Sequence, residues 1–188
     1  MSSGAYREQD EQGVDFSLLR KSRSSAGARV IVAPGNLMIP TQALALGAVV
    51  ASSLVVTFFD PSSRKGGLCH YVMPRPSEHE RATPKFGLPA ILAVLRVFVS
   101  AGASIEELLV GVYGGACPNW ASAQERSLAD GNIEIAREVL KKKNVRIRDE
   151  DVGGERGRKL WYLSDSNEIA LVKTDAVRRS DWFPEMGD

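Results

Sequence analysis

ALGAVVASSLVVTFFDPSSRKGGLCHYVMP, residues 45–74, decides the fold. Two apolar runs flank a polar turn, Asp60-Pro61-Ser62-Ser63-Arg64-Lys65-Gly66-Gly67. Val55 to Phe59 lead into the turn, and Leu68 to Met73 lead out of it. Both runs are rich in β-branched or aromatic residues, so each reads as a strand, and the Pro/Gly/Ser cluster reads as the turn between them. Neither run alternates apolar with polar. The spacing therefore predicts a hairpin covered on both faces, between other layers.

The rest of the chain supplies those layers. Arg29 to Ala33 reads as a short strand ended by Pro34-Gly35-Asn36, and Leu37 to Pro40 and Ala43 to Val50 add more strand. Pro84-Lys85-Phe86-Gly87 opens a helix over Leu88 to Ala101, with Pro89 in its first turn and Gly102 closing it. Leu88, Ile91, Leu92, Leu95, Phe98 and Val99 recur at helical spacing. Ser104 to Glu107 is a turn, Leu108 to Tyr113 a strand, and Cys117 to Ala129 an irregular loop. Asp130 is the expected cap of a helix over Asn132 to Lys143, whose lysines face the negative end of the helix dipole. Val145 to Ile147 is a strand, and Lys159 to Leu163 and Ile169 to Lys173 form a last hairpin. Met1 to Gly27 reads as a flexible polar arm with a helical turn at Phe16–Leu19. Residues 28–174 form the folded domain, and residues 175–188 a polar tail.

Composition excludes several classes. The chain has 188 residues, 44% hydrophobic and 25% charged, enough for one domain with its own core. A net charge of +1 gives no global field for nucleic acid. The run Ala43 to Phe59 falls short of the roughly 20 residues a spanning helix needs, so no membrane insertion is expected. The amino-terminal stretch lacks the apolar centre of a signal peptide. Two cysteines without paired spacing fit a reducing cytoplasm and argue against a zinc site or disulfide framework.

Taken alone, His70 reads as a core-edge histidine with a satisfied hydrogen bond, Cys69 as a small buried hydrophobe on the opposite face of its strand, and His79 as a solvated loop residue. Phe86 and Trp120 read first as packing residues.

A set of motifs in fixed order changes that weighting. They are Asp60-Pro61 with Gly66-Gly67 and His70, then Gly114-Gly115-Ala116, then Asn132 in its helix, then Asp151 to Arg158. Together, over about Ala28 to Thr174, they resemble CheD, the chemoreceptor glutamine deamidase family. The resemblance implies an α/β fold, a single domain of packed mixed β-sheets with about three helices outside. It implies a nucleophilic Cys seven residues before Asp60 and a His seventeen residues after that Cys, positions held here by Ser53 and His70. His70 would be the base. A Thr that helps hold the His is replaced by Gly47 or Ala48, Gly-Ser-Cys by Ala51-Ser52-Ser53, and a Gly and an Arg before Asn132 by Ala129 and Gly131.

The resemblance further implies partners: the glutamine-bearing cytoplasmic helices of chemoreceptors and a CheC-type phosphatase. It implies no cofactor and no metal. Three readings stay open. The chain is a degenerate binding member; or it is a deamidase whose catalytic Cys has been replaced on purpose by Ser53; or it is an amidohydrolase using Ser53 or Cys117. Deamidation is acyl transfer with ammonia as leaving group, and it needs a nucleophile, a base that then protonates the amine, and donors for the oxyanion. A hydroxyl is far harder to ionise than a thiol, so a site built for Cys is expected to work poorly, or not at all, with Ser.

Overall fold

The computed structural model describes residues 27–177. The expected arm and tail, including Phe16–Leu19, Trp182 and Phe183, lie outside the described residues, apart from Gly27 and residues 175–177. Nine strands and two α-helices are present among the described residues: β1 (Ala28–Ile31), β2 (Asn36–Met38), β3 (Leu44–Val50), β4 (Leu54–Asp60), β5 (Lys65–Tyr71), α1 (Gly87–Ser100), β6 (Leu109–Gly114), α2 (Ala123–Lys142), β7 (Ile147–Val152), β8 (Gly157–Leu163) and β9 (Ile169–Thr174).

The strands form two mixed sheets, a five-stranded one in the order β2-β5-β4-β6-β7 and a four-stranded one in the order β1-β3-β8-β9. The hairpin β4–β5 lies at the centre. Leu54, Val56, Phe58, Cys69 and Tyr71 face the helices, where they meet Ile91, Leu95 and Phe98 of α1 and Ala136 and Leu140 of α2. Phe58 stacks on Phe98 with ring centroids 6.3 Å apart. Val55 and Leu68 face the other way, against Val32, Leu46, Leu160 and Tyr162. Period-2 alternation thus feeds two cores from one hairpin, which is why neither run shows a polar face.

Asp60 sets the turn. Its carboxylate accepts hydrogen bonds from the backbone N–H and hydroxyl of both Ser62 and Ser63. These donors, Ser63 foremost, hold its carboxyl below the usual carboxylate range. Arg64 completes the turn at φ +53°.

Helix α1 matches its expected span, and Gly102 ends it at φ +93°. Its first amides, on Gly87 and Leu88, donate to the carbonyls of Met73 and Pro74, so the chain leaving β5 caps the helix. The second helix corrects the sequence reading. It begins at Ala123, and its cap is Ser122 with Glu125 in a capping box, not Asp130. The expected loop 117–129 therefore shrinks to a short crossing before Ser122. In place of about three helices, the described residues hold two α-helices, and the turn expected at Ser104 to Glu107 is a single 3-10 turn, Ile105–Glu107. Strand β7 runs Ile147–Val152, so Asp149 to Asp151 belong to a strand rather than to the turn that follows. That turn holds Gly153 and Gly154 at φ +70° and +71°, braced by Arg158 donating to Asp151 at 2.7 Å.

Replacing Ser122 by Ala is expected to cost about 1 kcal/mol, the usual worth of a helix cap. In urea unfolding this reads as a lower midpoint with an unchanged slope.

Candidate active site

The hairpin register brings Ser53 and His70 together. Val55 pairs directly with His70, and the last paired residues are Leu54 and Tyr71. Ser53 sits two residues before Val55 and falls diagonally across from His70 on the same face. The seventeen-residue spacing is thus what a four-residue turn and this register produce.

His70 Nε2 lies 3.1 Å from Ser53 Oγ, and His70 Nδ1 lies 2.9 Å from the Val32 carbonyl. A carbonyl can only accept, so Nδ1 carries the proton. In the neutral ring Nε2 is then the lone-pair nitrogen, and it accepts from the Ser53 hydroxyl. This is the tautomer a general base requires, held by main chain where other nucleophile–His sites use a carboxylate. The Val32 carbonyl is available because the chain crosses there from β1 in one sheet to β2 in the other. The Val32 N–H still extends the β3 ladder by donating to Gly47.

The pair is dry. His70 is 0% exposed and Ser53 7%. Burial pushes the imidazole pKa down to about 4, with the Val32 carbonyl pulling the other way. The ring is therefore uncharged at neutral pH.

Two glycines support the segment that carries Ser53. Gly114 (φ +123°) ends β6 so close to Ser53 that a side chain there would strike the Ser53 carbonyl. Gly115 (φ +65°) donates its N–H to that carbonyl at 2.9 Å, and Ala116 donates to Ala51 at 2.7 Å. Asn132, on α2, donates to the carbonyls of Ser52 and Val72. The sequence reading used Asn132 as a marker of the resemblance and gave it no role.

The remaining candidates lie elsewhere. Gly47 is on the face of β3 turned from His70, where an added side-chain atom would meet Ile31 at 2.7 Å and Trp161 at 2.8 Å. Ala48 is buried between the sheets. Cys69 points into the helix-side core, and burial pushes its thiol up to about 12. Cys117 is half-buried on the loop after β6, its N–H bonded to Gly154. It makes no bond to His70, both of whose ring nitrogens are already engaged. His79 lies exposed in the loop before α1. Phe86 is core, and Trp120 stands 81% exposed on the loop that leaves Ala116. Among the described residues no three His, Cys, Asp or Glu converge as metal ligands, and no helix is long and apolar enough to cross a membrane.

Comparison with known proteins places the chain in a family. The family profile described as CheD chemotactic sensory transduction matches residues 72–173, beginning two residues past His70. Curated relatives extend the match. The chain is 33% identical over 138 residues to a probable chemoreceptor glutamine deamidase CheD 1 of Anaeromyxobacter dehalogenans, covering 73% of this chain and 80% of that protein. It is 30% identical over 144 residues to a probable chemoreceptor glutamine deamidase CheD 2 of Geobacter sulfurreducens, covering 77% and 89%. A probable chemoreceptor glutamine deamidase CheD of Sulfurimonas denitrificans is 29% identical over 137 residues, with 72% and 88% covered. The chain belongs to the CheD family.

The buried imidazole makes stability depend on pH in a defined window. Its folded pKa, about 4, lies below the unfolded value near 6.5, so the unfolded chain takes up the proton first as pH falls. The contribution is whole above pH ~6.5 and is lost toward pH ~4, on the order of 3 kcal/mol in all. Thermal midpoints measured between pH 7.5 and 5 are expected to fall in the native chain and to fall much less in His70→Gln.

Proposed function

We propose that this chain is a chemoreceptor-binding member of the CheD family in which the deamidation step is lost or severely slowed. Its target is the glutamine-bearing cytoplasmic helices of chemoreceptors, and a CheC-type phosphatase is its second candidate partner.

One observation carries the reading: the 3.1 Å contact between a serine oxygen and a buried, uncharged imidazole. In the deamidase reaction the nucleophile attacks the side-chain amide carbon. The tetrahedral intermediate expels ammonia with a proton from the imidazolium, and water then cleaves the acyl intermediate to glutamate. Here the first proton transfer is uphill at both ends. The Ser53 hydroxyl is a far weaker acid than a thiol, whose pKa is about 8.5. The His70 ring is a weaker base than a free imidazole, because the imidazolium would form in a buried site with one carbonyl as its counterweight. Each pKa unit of mismatch adds about 1.4 kcal/mol to that step. The main-chain frame around the pair is kept, while the Thr, the Gly before Ser52 and the Gly and Arg before Asn132 that the family resemblance leads one to expect are absent, so binding is the retained function and sulfur alone is not expected to restore the reaction. The reading is also supported by the curated relatives, which are named for glutamine deamidation on chemoreceptors.

Titration calorimetry with a glutamine-bearing receptor helix fragment tests it, alongside an ammonia-release assay. Saturable binding without ammonia is expected from the native chain, and continued silence from Ser53→Cys. Ammonia release after Ser53→Cys would mean an intact deamidase lacking only its sulfur. Release from the native chain that vanishes with Ser53→Ala or Cys117→Ala would instead identify an amidohydrolase using that residue. Absence of any binding would overturn the proposal.

A further inference from the structure

We propose that Asn132 is a positioning residue that sets the distance between residue 53 and the His70 ring. The inference rests on reading that pair as the family's reacting centre.

The β4–β5 ladder stops at Leu54 and Tyr71. The next rung would join Ser53 to Val72, and no such pair forms. Asn132 enters at that point. One proton of its amide goes to the Ser52 carbonyl at 2.9 Å, and the other goes to the Val72 carbonyl at 3.0 Å. The side chain is thus a wedge that replaces a missing rung and fixes the gap between the segment carrying residue 53 and the one leaving His70. A third tether arrives from between them, as the Tyr71 hydroxyl donates to the Asn132 carbonyl at 2.6 Å.

Asn132 is 0% exposed, and its Oδ1 is buried without a partner among the described residues. A helix facing a core would bury a leucine there more cheaply. An amide with a stranded acceptor is costly, and such costs concentrate where geometry matters more than stability. The amide orientation is fixed by its neighbours, since the opposite one would set an oxygen against two carbonyls.

A double-mutant cycle separates positioning from packing. Ser53→Cys with Cys117→Ala leaves an introduced thiol beside His70 and the buried, inert Cys69. The readout is the rate of alkylation of the introduced thiol by iodoacetamide. His70→Gln is expected to change that rate about tenfold, one pKa unit's worth of thiolate. The same change made in an Asn132→Leu background is expected to alter it less than about twofold, because the pair is already uncoupled. Tyr71→Phe, which keeps the buried ring and removes one tether, gives an intermediate value and covers the case in which Asn132→Leu does not fold.

A His70 effect equally large in the Asn132→Leu and Tyr71→Phe backgrounds, with only the melting temperature lowered, would overturn the proposal. A His70 effect absent even with Asn132 in place would sink the pair itself. The cycle makes no use of receptor binding, so it fails independently of the calorimetry.

Discussion

The register of the β4–β5 hairpin is the constraint on which the rest of the molecule depends. A strand alternates its faces with a period of two, so slipping this pairing by one residue would exchange the helix-side and sheet-side cores. It would also carry His70 from the Ser53 side to the Cys69 side. The Asp60 carboxylate, gathering two serines into a tight turn, holds that register at one end. Gly114, Gly115 and Asn132 hold it at the other, around the residues just before Leu54. The motifs that mark the family are therefore two ends of one mechanical element and the clamp at its mouth.

Electrostatics at the mouth follow from the same placement. A hairpin covered on both faces buries its inward histidine, and burial keeps the ring neutral. The Val32 carbonyl fixes the tautomer without adding charge. A thiol can meet such a ring partway, because sulfur gives up its proton at modest cost. A hydroxyl gives up its proton at far greater cost, and the 3.1 Å contact between residues 53 and 70 is also a buried hydrogen bond that contributes to stability.

Much of this was readable in the residues. Runs apolar on both faces announced the buried hairpin, the 3.6-residue recurrence from Leu88 announced α1, and the Asp151–Arg158 pattern announced a braced glycine turn. The first half of α2 was missed because Cys117 to Ala129 is polar and Gly131 looks like a breaker. The Ser122-x-x-Glu125 cap was the signal that could have found it. Other features had no side-chain signature. The partner that orients His70 is a main-chain carbonyl from a crossing between sheets, and the parallel pairing of β1 with β3 is set by tertiary packing. Asn132 stood out as a landmark, yet its two acceptors are also carbonyls, invisible in a string of letters.

Because the hairpin is interior on both sides, its chemistry and its folding draw on the same positions. An oxygen or a sulfur at residue 53 would fill similar space and bond the same ring. Keeping or losing the reaction would therefore leave assembly unchanged, and packing alone is reason enough for the imidazole to stand there. In such a scaffold, a histidine at this position is evidence of the fold and not, by itself, of turnover.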